Sequence, residues 1–141
     1  MDRSEFIKFI AASTLGCGAL VGLSSCASYR YVDGNREGSQ LKVSKDVFQE
    51  DSYVLVHNPV YSKPIFLIKE PEDSYSAYLL ECTHKQCTVK PTGNTLTCPC
   101  HGSKFDQRGQ VLQGPAEQSL PAFQVTTNEQ TIFIQLQKER T

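Results

Sequence analysis

Two short segments constrain this chain more than any other feature: Cys82-Thr83-His84-Lys85-Gln86-Cys87 and Cys98-Pro99-Cys100-His101-Gly102-Ser103. Each follows a strand-like stretch, so the fold must supply two hairpin-like loops whose Cys/His pairs converge. Thiolate sulfur and imidazole nitrogen together suit iron–sulfur clusters or zinc. A structural zinc site usually spaces its ligands as Cys-x-x-Cys with a wider His pair, and Cys-x-His is tighter than that habit. Cys87 and Cys100 are left over, one in each loop. In an oxidising compartment they can be joined, and a disulfide there would clamp the loops with about 2–4 kcal/mol of stabilisation.

The rest of the chain from about residue 39 reads as short strands with turn punctuation. Leu41 and Val43 alternate with polar neighbours, and Tyr53 to His57 is closed by Asn58-Pro59. Ile65 to Ile68, Tyr75 to Glu81 and Asn94 to Thr97 follow. Phe123 to Val125 and Ile132 to Leu136 flank Thr127-Asn128-Glu129, a hairpin signal. Helical periodicity is missing apart from one turn near Lys45 to Glu50. Strands at roughly 8–12-residue spacing predict an all-β fold, an antiparallel sandwich or barrel.

The N-terminus has a different character. A short charged start, Asp2 to Lys8, leads into an uncharged run from Phe9 to Leu23 and then Ser24-Ser25-Cys26. This is the layout of an export signal. Leu23-Ser24-Ser25-Cys26 resembles a bacterial lipobox, in which Cys26 carries the lipid after cleavage. An uncleaved membrane helix is the other reading, although the run is short and rich in Gly, Ala and Ser for that. The start also resembles a twin-arginine signal, with Ser4 where the second Arg belongs. Residues 1–25 are therefore expected as export signal and 26–38 as a polar tether with one short strand at Tyr29 to Val32. Residues 39–141 are expected to form one domain, exported to the periplasm or cell surface and held at the membrane by lipid or helix.

Composition removes other classes. With 14 Lys+Arg against 15 Asp+Glu in 141 residues, the net charge of -1 gives no footprint for nucleic acid. No carboxylate pair, nucleophile with a base, or flavin or nicotinamide motif marks a small-molecule substrate pocket. His57 reads as a surface or edge histidine, Tyr75 and Tyr78 as packing residues.

The two boxes and the segment after them resemble a Rieske iron–sulfur domain of the cytochrome bc complex type, over about residues 75–125. The resemblance implies a 2Fe–2S cluster with one iron on Cys82 and Cys98 and the other on His84 and His101. It implies that Cys87 and Cys100 form the family's disulfide and that Ser103 donates to a bridging sulfide. Gly114-Pro115-Ala116 matches the loop that covers the cluster. The cluster-binding part, about residues 80–116, would then be a small subdomain inserted between strands. Of the six cysteines this leaves Cys17 in the signal and Cys26 for lipid.

Three departures bear on function. Lys85-Gln86 stands where quinol-oxidising members carry Leu-Gly, and a Lys is costly to desolvate in an apolar quinone pocket. Phe105 replaces a Tyr whose hydroxyl bonds a ligand sulfur, which implies a lowered reduction potential. Only 13 residues separate His84 from Cys98, a trimmed loop. The expected function is one-electron transfer between redox protein partners, by a carrier or redox subunit rather than a self-contained enzyme. The alternatives are a subunit of a respiratory quinol or arsenite oxidoreductase, a Rieske ferredoxin serving an oxygenase, and a structural zinc protein.

Overall fold

The computed structural model describes residues 29–137. The segment expected to be an export signal, with Cys17, and Cys26 after it lie outside the described residues. Twelve strands run in chain order: β1 (Tyr31–Asp33), β2 (Asn35–Glu37), β3 (Gln40–Ser44), β4 (Tyr53–His57), β5 (Ile65–Glu70), β6 (Ser74–Leu79), β7 (Lys90–Thr92), β8 (Thr95–Thr97), β9 (Lys104–Phe105), β10 (Val111–Gln113), β11 (Ala122–Thr127) and β12 (Thr131–Gln135). Eight of them form a barrel-like sheet in the order β1-β4-β5-β6-β11-β12-β3-β2. The other four form a small sheet, β10-β9-β8-β7, inserted between β6 and β11. The fold is all-β, as the strand spacing predicts, and the inserted subdomain is where the two Cys/His boxes lie. Among the described residues no helix is long and apolar enough to cross a membrane.

Local chemistry accounts for the turns. Asn58 Oδ1 accepts from the amides of Val60 (3.1 Å) and Tyr61 (2.6 Å), which turns the chain between β4 and β5. Asn128 does the same for Gln130 (3.0 Å) and Thr131 (2.7 Å), closing the β11–β12 hairpin at the expected place. The turn near Lys45 is a 3-10 helix over Lys45–Phe48, capped by Ser44 Oγ, which accepts from Asp46 N.

Burial divides into two clusters on either side of the large sheet. One fills the barrel with Leu41, Val54, Val56, Ile65, Leu67, Ile132 and Ile134. The other joins Leu55, Phe66 and Ile68 of β4 and β5 to Leu80, Cys82, Leu96, Cys98, Phe105 and Leu120 of the inserted part. Strands β4 and β5 are thus apolar on both faces because both faces are covered. Tyr75 is a packing residue, tilted on Phe48 at 5.2 Å between ring centroids. Burial, and then its hydrogen bond to Asp73, push its phenol up to about 12, so it stays neutral.

The tether expected at 26–38 requires correction. Residues 31–37 belong to the barrel as β1 and β2, not to one short strand within a linker. β1 pairs in parallel with β4, the one parallel pair in a sheet expected to be antiparallel. β2 pairs antiparallel with β3. The polar sequence hid them because both are edge strands with exposed faces, where an apolar alternation is not needed. Gly34 between them is there for space: a Cβ at this position would meet Leu41 Cγ at 2.5 Å, and Leu41 is fully buried. Gly34→Ala should therefore lower stability by about 1–3 kcal/mol through overpacking, measured by urea unfolding.

Candidate metal centre

Both Cys/His boxes follow strands and turn sharply back on themselves. Cys82 N donates to Cys87 O at 2.8 Å and Gln86 N to Cys82 O at 2.7 Å. Gln86 sits in the left-handed region, φ +61, which completes the tight return. In the second box Cys98 N donates to Ser103 O at 2.8 Å and Gly102 N to Cys98 O at 3.1 Å, with Gly102 at φ +80. Glycine is suited to that position because it carries no Cβ.

The donor side chains separate by type. Cys82 and Cys98 are buried, at 1% and 0% exposure, and neither is in a disulfide. His84 and His101 are exposed and lie edge to face, ring centroids 4.9 Å apart at 88°. Cys87 and Cys100 form a disulfide that joins the two loops, with their Cα atoms 6.4 Å apart. The sulfurs of Cys87, Cys98 and Cys100 lie within 4.8 Å of one another, but two of these are disulfide sulfurs and offer no thiolate. The donor set suits two metals, two soft thiolates on the buried side and two imidazoles on the solvent side.

Neighbouring groups hold the loops in place. Ser103 is fully buried, and its Oγ accepts from Ala116 N at 3.0 Å. Among the described residues nothing in the protein accepts its hydroxyl proton, which fits a sulfide acceptor beside it. Phe105 is fully buried in the same cluster as Cys82 and Cys98, between Leu96 of β8 and Val111 of β10 in the ladder. Pro115 is exposed, follows Gly114 through a cis peptide and lines a shallow cleft with Thr83, His84, Glu117 and Gln118. Two contacts escaped the sequence reading. Thr83 Oγ1 donates to Gln118 O at 2.6 Å, and Gln113 Nε2 donates to Gly102 O at 3.2 Å. Thr83 was in view inside the first box, whereas nothing in the sequence marks Gln113.

The profile of the Rieske [2Fe-2S] domain family matches residues 39–124. The chain belongs to the Rieske family. Its cofactor is a 2Fe–2S cluster, and the thiols, the imidazoles and the Ser103 hydroxyl, which still has a proton to donate, suit one. The Rieske chain is 37% identical to the cytochrome b6-f complex iron-sulfur subunit of Prochlorococcus marinus (strain NATL1A), over 95% of this chain and 84% of that protein. It is 39% identical to the subunit of the same name from Synechococcus sp. (strain CC9605), a match that spans half of this chain and 42% of the relative's length. The crystal structure of the cyanobacterial plasma membrane Rieske protein PetC3 from Synechocystis PCC 6803 superposes with a TM-score of 0.56 at 25% identity, over 65% of this chain and 94% of that one. The structure of the complex of reduced oxygenase and oxidized ferredoxin in carbazole 1,9a-dioxygenase shares the fold, with a TM-score of 0.54 at 23% identity over 74% of this chain.

The disulfide separates loop stability from ligand supply. Cys87→Ser together with Cys100→Ser should leave Cys82, His84, Cys98 and His101 in place yet speed loss of the visible cluster absorbance during dilution, with a smaller loss of overall fold by circular dichroism. Free reactivity of both thiols with an alkylating reagent in unreduced native protein would overturn the pairing.

Proposed function

We propose that this Rieske protein is a one-electron carrier, exported and anchored at the membrane, with Cys82 and Cys98 holding the inner iron and His84 and His101 the outer. The observation that carries the reading is the split in burial: both thiols are sealed in the core while both imidazoles reach solvent at one tip. A bound 2Fe–2S cluster supplies a one-electron couple. The chain's own residues then give that couple one exit. The core cluster closes the thiolate side against water, and the imidazole edges form the route to a partner protein. Ser103 offers a hydrogen bond toward the sulfide side, and Phe105 offers none to a ligand sulfur.

Reduced protein should give a rhombic 2Fe–2S electron paramagnetic resonance signal with nitrogen couplings from two imidazoles. Stoichiometric zinc without iron or sulfide would instead establish the zinc reading. In a redox titration Phe105→Tyr should raise the potential on the order of tens of millivolts, because a new donor to sulfur stabilises the extra electron. Ser103→Ala should lower it, and an unchanged potential in Phe105→Tyr would show that this ring does not face the cluster.

Export and anchoring rest on the signal-like segment and on Cys26 in its lipobox setting. Cys26→Ala should release the protein from membranes or block processing. Retention of membrane extraction behaviour with no change in mass beyond the substitution would favour the uncleaved helix. A second reading makes the protein a subunit of a larger electron-transfer complex, which its likeness to cytochrome b6-f complex iron-sulfur subunits supports. Exposed Lys85, which makes no ion pair among the described residues, speaks against burial of this tip in an apolar quinol pocket. Co-migration with a cytochrome on native gels separates a subunit from a lone carrier.

A further inference from the structure

The corrected N-terminal strands leave very little chain between the membrane attachment site and the folded domain. Tyr29 OH donates to Pro91 O of β7 at 2.5 Å, and its ring packs against the second core cluster. Leu55 N donates to Arg30 O at 2.9 Å, and the Arg30 guanidinium pairs with Asp51 at 3.3 Å. The chain is therefore held from Tyr29 onward. Covalent geometry limits the Cα separation of Cys26 and Tyr29, three residues apart in sequence, to about 11 Å.

The strand that follows suits a lipid boundary. β1 is one of the two outer strands of the large sheet, and among the described residues no strand pairs with its other edge. Tyr31 on it is 49% exposed, one of two large apolar side chains left in solvent among the described residues, and stacks on His57 at 4.6 Å. Aromatic rings with a polar tip prefer the level of lipid headgroups, and Arg30 beside it can meet phosphate. An exposed sheet edge is otherwise a liability for pairing with other chains. We propose that the β1 edge, led by Tyr31 and Arg30, is the lipid-facing surface of the domain, held against the headgroups by a leash too short for the domain to swing away. This rests on the membrane-anchored reading above.

The chain contains no tryptophan, so single introduced indoles can report this directly. Tyr31→Trp places one at the β1 edge. Leu112→Trp places another at an exposed position on β10, three strands from β7 and so roughly 14 Å across the small sheet from the Tyr29 contact. Full-length protein of each variant is reconstituted in vesicles of phosphatidylcholine and phosphatidylglycerol, with and without a lipid bearing a nitroxide on its headgroup. The Tyr31→Trp emission should fall in the nitroxide vesicles while the Leu112→Trp emission does not. An insertion of about eight Gly/Ser residues between Ala27 and Ser28, which lengthens the leash by roughly 15 Å, should abolish the loss. Protein that floats with vesicles but shows no quenching at position 31, whether bare or covered by a second copy, overturns this inference alone. Quenching that survives the insertion overturns the leash. Protein that does not float with vesicles overturns both the anchor and this surface.

Discussion

The Cys87–Cys100 bond ties the loop that runs from β6 of the large sheet into β7 to the loop between β8 and β9 of a very small sheet. Strands β7 to β10 contain two or three residues each, too few to fix the loops by ladder hydrogen bonds alone. The covalent clamp therefore carries a load that a larger sheet would share. It is supported from the third loop, where Ala116 N reaches Ser103 Oγ and Gln118 O receives Thr83 Oγ1. These contacts converge on the two Cys/His boxes, so the boxes and the small sheet stabilise each other.

The same arrangement creates a gradient of environment over a short distance. Cys82 and Cys98 share a buried cluster with Leu80, Leu96 and Phe105, where a thiolate lacks water and depends on hydrogen bonds and metal for compensation. His84 and His101 stand outside that cluster. The exposed side of the site is therefore the imidazole side, and the buried side is the thiol side.

The sequence was most informative where a residue's chemistry allowed few structural solutions. Tyr53 to His57 and Ile132 to Ile134 lie in strands because runs of β-branched and aromatic residues there are buried in the finished sheet. The two boxes announced the site for a similar reason, since few folds use Cys-x-His beside Cys-x-x-His, and the disulfide partners were the cysteines left over. β2, β7, β9 and β10 were missed because each is short and mostly stabilised by its neighbours. Pro91 even argues against a strand, and β7 tolerates it as an outer strand of its sheet. Gln113 could not be identified as a support for Gly102, because an exposed glutamine reveals nothing until the fold brings it to a carbonyl.

β6 and β11, the strands on either side of the insertion, are paired neighbours, with Tyr78 opposite Ala122 and Leu79 N bonded to Pro121 O at 2.8 Å. The inserted part therefore leaves the barrel and returns at a single point, like a flask joined at its neck. The barrel ladder closes beneath it whatever the length of the excursion, and loop-closure entropy rises only slowly with that length. The length of the stretch between His84 and Cys98 is thus a property of the head and not of the stem, and one stem can carry heads of different size.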